Sequence, residues 1–179
     1  IYRLINKMKR LLLISWIFLL SISFGLTKAK ADVRMPLIFG DHMVLQQDTK
    51  IAIFGWADAG ENIEVLFAGQ KVRTTANADG TWQVKLKPVK TKKKGETLTI
   101  TGKNKLVYSD VLVGDVWVAS GQSNMELPIN RVTDLYREET EMYENNNIRY
   151  VKTPYGNDVK GPQEDISKME WKALTKETA

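Results

Sequence analysis

One histidine and no cysteine restrict the chemistry open to these 179 residues. A thiolate nucleophile, a thiolate zinc site, a lipobox anchor and a disulfide framework are all excluded. His42 is the only imidazole able to activate a hydroxyl, and no histidine metal cluster can form. The best placed hydroxyl is Ser123, in Ser120-Gly121-Gln122-Ser123-Asn124-Met125. It follows residues 111–119, a nearly continuous apolar run that reads as a strand buried on both faces. Open α/β sheets present ligands at the carboxyl ends of such strands. Gly121 permits a tight turn that lifts the Ser123 hydroxyl above the sheet edge, where a backbone N–H can meet a developing oxyanion. Gly-x-Ser is common, however, and a plain turn or N-cap serine satisfies the same spacing. His42 lies far upstream and reads as a loop histidine. Asp41, Asp115 and Glu126 read as turn or helix-end charges.

The elements that must position Ser123 fall into two patterns. From Val33 to about Asp110 the period is two. Ile51-Ala52-Ile53-Phe54-Gly55-Trp56 has strand character, Ile63, Val65 and Phe67 share a face, and Trp82, Val84 and Leu86 alternate with Gln83, Lys85 and Lys87. Such alternation predicts half-buried antiparallel strands. Asp58-Ala59-Gly60, Ala68-Gly69-Gln70 and Asn77-Ala78-Asp79-Gly80 supply turns. A further strand is expected at 96–101, and the whole at 32–110 as a small β-sandwich. The basic run Lys90-Thr91-Lys92-Lys93-Lys94 reads as a solvated hairpin tip that discourages edge pairing. Trp56 and Trp82 are expected in the core, and Trp117 is a further candidate for stacking on sugar.

After Asp110 the pattern becomes strand, turn, helix, strand. The helix is carried by Val132, Leu135, Tyr136, Met142 and Tyr143, with an Arg137/Glu141 ion pair. Asn145-Asn146-Asn147 stops it, residues 148–151 form the next strand, and residues 155–168 read as a surface loop. A β-α-β unit predicts a parallel sheet. One such unit is too small to close a core, so residues 111–179 are expected to be an incomplete α/β domain.

Charge is dominated by the N-terminus. Arg3, Lys7, Lys9 and Arg10 precede an uncharged stretch at 11–27, followed by Ala29-Lys30-Ala31. This is the layout of a secretory signal peptide with cleavage after Ala31, and it is too short and too serine-rich for a spanning helix. Residues 1–7 read as lying upstream of the initiator Met8. The whole chain carries 26 basic and 21 acidic side chains; six of the basic ones and none of the acidic ones precede Asp32. Without residues 1–31 the balance is near neutral, so the basic surface a nucleic-acid partner needs is absent. A cysteine-free exported chain fits a bacterial periplasm or exterior, with no membrane anchor after cleavage.

The string from Gly114 to Glu126, Gly-Asp-Val-Trp-Val-Ala-Ser-Gly-Gln-Ser-Asn-Met-Glu, resembles the nucleophile block of SGNH-type esterases, specifically the sialate O-acetylesterase group. Pro36-Leu37-Ile38-Phe39-Gly40-Asp41-His42-Met43-Val44-Leu45-Gln46 and Phe54-Gly55-Trp56-Ala57 resemble that group's N-terminal β-domain signature, and Asn147-Ile148-Arg149-Tyr150 its next strand. The resemblance implies a β-sandwich followed by the start of a flavodoxin-like parallel sheet. It also implies a secreted esterase acting on an O-acetylated sugar such as O-acetyl sialic acid, without a cofactor or metal. Ser123 is then the nucleophile and supplies an oxyanion N–H, with Gly121, Gln122 and Asn124 beside the substrate. The base is a histidine from a later Asp-x-x-His block not found in these residues, so this chain alone is expected to be nearly inactive. Two other readings stay open: an acetylxylan-type esterase, and a non-catalytic carbohydrate-binding β-sandwich.

Overall fold

Alternation in the sequence becomes alternation in burial. Strand β2 (Ile51–Trp56) buries Ile51 and Ile53, β3 (Asn62–Phe67) buries Ile63, Val65 and Phe67, and β5 (Thr81–Leu86) buries Trp82, Val84 and Leu86. These are the three strands whose period is plainest in the sequence. The structure is a computed structural model that describes residues 32–128, 131–141, 144–154, 161, 164–166, 168–175 and 178, less the side chains of Glu126, Glu139 and Glu141. The signal peptide expected at 1–31, the helix positions Met142 and Tyr143, and most of the loop at 155–168 lie outside the described residues.

The remaining strands are β1 (Val44–Gln46), β4 (Gln70–Thr75), β6 (Lys92–Thr101), β7 (Lys105–Gly114), β8 (Asn145–Tyr150) and β9 (Lys172–Leu174). A five-stranded sheet runs in the order β1-β7-β6-β3-β4, and β2 pairs with β5 in a second sheet. All pairings are antiparallel except that of β1 with β7. Both sheets contribute to one core, which includes Ile53, Trp82 and Leu86 from the smaller sheet and Val65, Phe67, Leu98 and Ile100 from the larger. The Gln70 side chain links the sheets by donating to the Lys87 carbonyl at 3.1 Å and accepting the Lys87 N–H at 2.8 Å. Glu61, almost fully buried, accepts the Lys103 N–H at 2.6 Å and the Asp58 N–H at 3.2 Å. A buried carboxylate is tolerated when bonded in this way.

β6 begins four residues before the expected strand and takes in Lys92, Lys93 and Lys94, all exposed. The lysines are solvated as expected, but on a strand opposite the end of β7 and not at a hairpin tip, with Lys92 aligned to Val113 and its ammonium paired to Glu96. β7 runs unbroken through Asp110 and buries Val111, Leu112 and Val113. The run buried on both faces stops there. Val116, Trp117 and Val118 are exposed, the last two at 88% and 93%.

The expected parallel β-α-β unit is not formed by the described residues. The only regular α-helix among them is α1 (Arg137–Glu141), with Leu135 and Tyr136 exposed before it. Arg137 lies 4.0 Å from Asp134. β8 takes in the three asparagines that were expected to stop the helix, and it pairs antiparallel with β9. The physical reason lies in residues 116–119: a parallel strand needs a covered face and a hydrogen-bonding neighbour, and no strand pairs with this segment among the described residues.

Candidate functional site

The N-terminal motif and the serine motif, far apart in sequence, are in contact. β1 lies parallel to the end of β7, with Val44 opposite Leu112 and Gln46 opposite Gly114. Beyond this pairing, Gln46 Oε1 accepts the Val116 N–H at 2.8 Å, and Gln47 Nε2 donates to Asp115 Oδ1 at 3.0 Å. Asp115 is thus a loop-anchoring charge. The glutamine pair grips the chain where it leaves the sheet.

Ser123 opens a 3-10 turn, Ser123–Glu126, on an exposed stretch. Gln122 occupies the N-cap position with an extended backbone and no capping bond from its side chain. Among the described residues the Ser123 hydroxyl has no hydrogen-bond partner. A Cβ at Gly121 would sit 2.6 Å from Cγ of the exposed Met125 side chain, so glycine there leaves that side chain room to lie over the turn. Met125 N–H donates to the Gln122 carbonyl at 2.9 Å and closes the turn. Gly121, Gln122, Ser123 and Asn124 are all exposed.

A cleft of about 650 Å³ is bounded by Val44, Lys92, Trp117, Arg149, Tyr150 and Trp171 among others. Its lining reaches Ala119, and residues 121–124 follow outside it. Trp171 is anchored by its indole N–H, which donates to the Ile38 carbonyl at 2.8 Å.

A polar cluster gathers around Ser109 and Asp110 of β7 and shares Arg149 with the cleft lining. Asp41 accepts the Ser109 N–H at 2.6 Å and the Ser109 hydroxyl at 2.8 Å, and these bonds hold its carboxyl below the usual value. His42 Nδ1 lies 2.8 Å from Asp110 Oδ2, and Arg149 Nη2 donates to that same oxygen at 2.8 Å. The His42 contact first, with Arg149 adding to it, lowers the Asp110 pKa. Sequence reasoning named Asp41 and His42 but not Asp110 or Arg149. The available signal was Ser109-Asp110, a polar pair inside an otherwise apolar-patterned strand. The geometry makes His42 an anchored loop histidine. Of the tryptophans, Trp82 is in the core, Trp56 is half-buried with the Arg34 guanidinium 4.2 Å above its ring, and Trp117 is open to solvent. Among the described residues no group of three metal-ligating side chains gathers, and no helix is long and apolar enough to cross a membrane.

No family model matches the chain. A crystal structure of a carbohydrate acetylesterase from Xanthomonas citri superimposes with a TM-score of 0.72 at 34% identity, over 79% of this chain and 32% of that one. Over the aligned residues, the chain is therefore similar to carbohydrate acetylesterases in both fold and sequence. Sialate O-acetylesterase from Rattus norvegicus is 35% identical over 117 residues, covering 59% of this chain and 21% of the relative. The Mus musculus enzyme of that name is 33% identical over 133 residues, 68% of this chain and 25% of the relative. The chain is sialate O-acetylesterase-like, and it spans a fifth to a quarter of the length of these curated relatives.

Proposed function

We propose that the chain supplies the N-terminal β-domain and the nucleophile segment of a secreted carbohydrate O-acetylesterase. The observation that carries this reading is the serine motif: Ser123 exposed at the start of a 3-10 turn, in a chain similar to acetylesterases. The β body at 32–110 is the scaffold, and residues 111–179 contribute the first part of an SGNH-type α/β domain. Ser123 Oγ attacks the acetyl carbonyl of an O-acetylated sugar, such as an O-acetyl sialic acid, and its proton passes to a histidine base. The Ser123 backbone N–H stabilises the oxyanion, the sugar hydroxyl leaves with the proton, and water cleaves the acetyl-enzyme. The base comes from a later Asp-x-x-His block, so the 179-residue chain by itself is nearly inactive, because an unassisted serine hydroxyl is a poor nucleophile. Residues 1–31 direct export and are removed, so N-terminal sequencing of exported protein reads from Asp32.

The test is Ser123→Ala in the full-length gene product. Acetyl release from O-acetylated sugars should fall nearly to nothing while the fold is retained. The residual rate should stay roughly 10^3–10^4-fold above the uncatalysed one, through oxyanion donors and binding alone. Unchanged activity would remove Ser123 from the mechanism. A serine-directed phosphonate should label Ser123 in the full-length product and scarcely in the 179-residue chain; equal labelling would locate the base within these residues.

A further inference from the structure

Two of the four non-glycine residues with positive φ among the described residues touch each other through their side chains. They are His42, at φ 64°, and Asp110, at φ 51°. Such backbone costs energy and persists where the surroundings enforce it. Here the enforcing contacts are visible. The His42 N–H donates to the Ser109 carbonyl at 3.0 Å, Asp41 takes both donors of Ser109, and Gly95 on β6 faces Asp110 so closely that it has no room for a Cβ. The β6/β7 register shifts on either side of Glu96, next to that glycine. The bulge turns the Asp110 carboxylate out of the strand, where one oxygen receives His42 from the loop before β1 and Arg149 from β8.

The Arg149 side chain is 7% exposed, and its Nε also donates to the Asn146 carbonyl at 2.6 Å. An arginine buried to this degree requires its counter-charge, and removing the partner leaves an uncompensated cation. Two other nearby carboxylates are bonded elsewhere, Asp41 to Ser109 and Asp115 to Gln47. β8 contributes Asn147, Ile148, Arg149 and Tyr150 to the cleft wall that faces Trp117.

We propose that Asp110 is a positioning residue: braced by His42, it holds Arg149 and thereby seats β8 as a wall of the cleft whose lining reaches Ala119, four residues before Ser123. His42 acts here as a brace for the carboxylate and not as a base. The catalytic consequence rests on the esterase reading; the seating of β8 does not. Because the wall touches the body of a substrate and not the reacting acetyl group, loosening it raises KM and spares kcat.

Asp110→Asn tests this cleanly, since asparagine tolerates the left-handed backbone and keeps one neutral acceptor. In the full-length gene product, KM for an O-acetylated sugar should rise about tenfold with kcat within about twofold, the loss expected when a charge-assisted bond becomes a neutral one. Hydrogen exchange, corrected for intrinsic rates, should show protection at Ile148–Tyr150 falling about tenfold while β2 and β5 keep theirs. Arg149→Lys, which retains the charge without the planar fork, should lie between wild type and Asp110→Asn in both measurements. Unchanged KM, a fall in kcat at unchanged KM, unchanged protection at β8, or equal losses in β2 and β5 would each overturn the proposal. If Asp110→Asn fails to fold, Arg149→Lys and His42→Gln decide by the same readouts. Activity surviving in Ser123→Ala would instead sink the esterase reading, and the exchange data would still decide whether Asp110 seats β8.

Discussion

The chain up to Gly114 and the chain after it are built from similarly apolar residues but treat them in opposite ways. In the first region Ile53, Val65, Leu86, Leu98 and Ile100 are fully buried. In the second, Trp117, Val118, Leu135 and Ile148 are exposed, and its strands form a single two-stranded ribbon. The difference is one of partners. The first region has seven strands, of which β2, β3 and β5 bury alternate residues and β6 and β7 bury part of their length, so two sheets can close over one core. The second has apolar residues with no second layer to cover them among the described residues. Hydrophobic composition alone does not make a core; complementary faces must be present in the same chain.

The largest test of this contrast is Trp82→Ala. Trp82 is 2% exposed, and truncating a buried tryptophan typically costs about 3–5 kcal/mol. Chemical denaturation of the chain should show a large fall in midpoint. Its buried Nε1 has no hydrogen-bond partner among the described residues, so Trp82→Phe gives up no bond and should cost clearly less than Trp82→Ala. If the phenylalanine variant were as damaged as the alanine one, the indole N–H would have a partner that this geometry does not provide.

A smaller effect is expected where the N-terminal motif meets β7. The Ser109 N–H and hydroxyl hold the Asp41 carboxyl below its ordinary value of 3.8. A depressed folded pKa contributes stability that is present above the unfolded value and is lost as pH falls through the folded one. The chain should therefore lose stability below about pH 4, and Asp41→Asn should lose less of it over that interval. Denaturation midpoints at pH 7 and pH 3 for both proteins check this. Identical losses would mean that Asp41 does not contribute to the acid sensitivity.

How far the sequence was legible follows the same division. β2, β3 and β5 are evident because their alternation is local and undiluted. β4 is not, since Gln70-Lys71-Val72-Arg73-Thr74-Thr75 holds a single apolar residue and none of its six positions is buried. It is a strand because β3 offers it an edge, with Glu64 opposite Arg73. The extent of β7 was obscured at Asp110, where a polar residue in the left-handed region interrupts the pattern without ending the strand. The exposed turn at Ser123 was legible from Gly121-Gln122-Ser123, although the strand expected to run up to it ends at Gly114. The cluster of His42, Asp110 and Arg149 was not, because its members are distant in sequence and polar, and no period-two or helical pattern brings polar residues together.

The smallest effect is expected at Trp117, and it sharpens the comparison most. A tryptophan normally dominates the energetics of whatever it packs against, yet Trp117 is 88% exposed and Val118 is 93% exposed. Trp117→Ala in the 179-residue chain should then change stability by no more than about 0.5 kcal/mol, as for surface substitutions generally. The same residue type would thus span nearly the whole range of mutational cost within one chain, from Trp82 to Trp117. The exposed apolar strip at 116–118 also carries a liability, since contiguous apolar surface promotes association. Replacing both Trp117 and Val118 with serine should leave the denaturation midpoint in place while reducing self-association in sedimentation measurements. A loss of more than about 1 kcal/mol in Trp117→Ala would show that the indole is packed. The region after Gly114 would then have a core of its own, and the contrast between the two regions would fail.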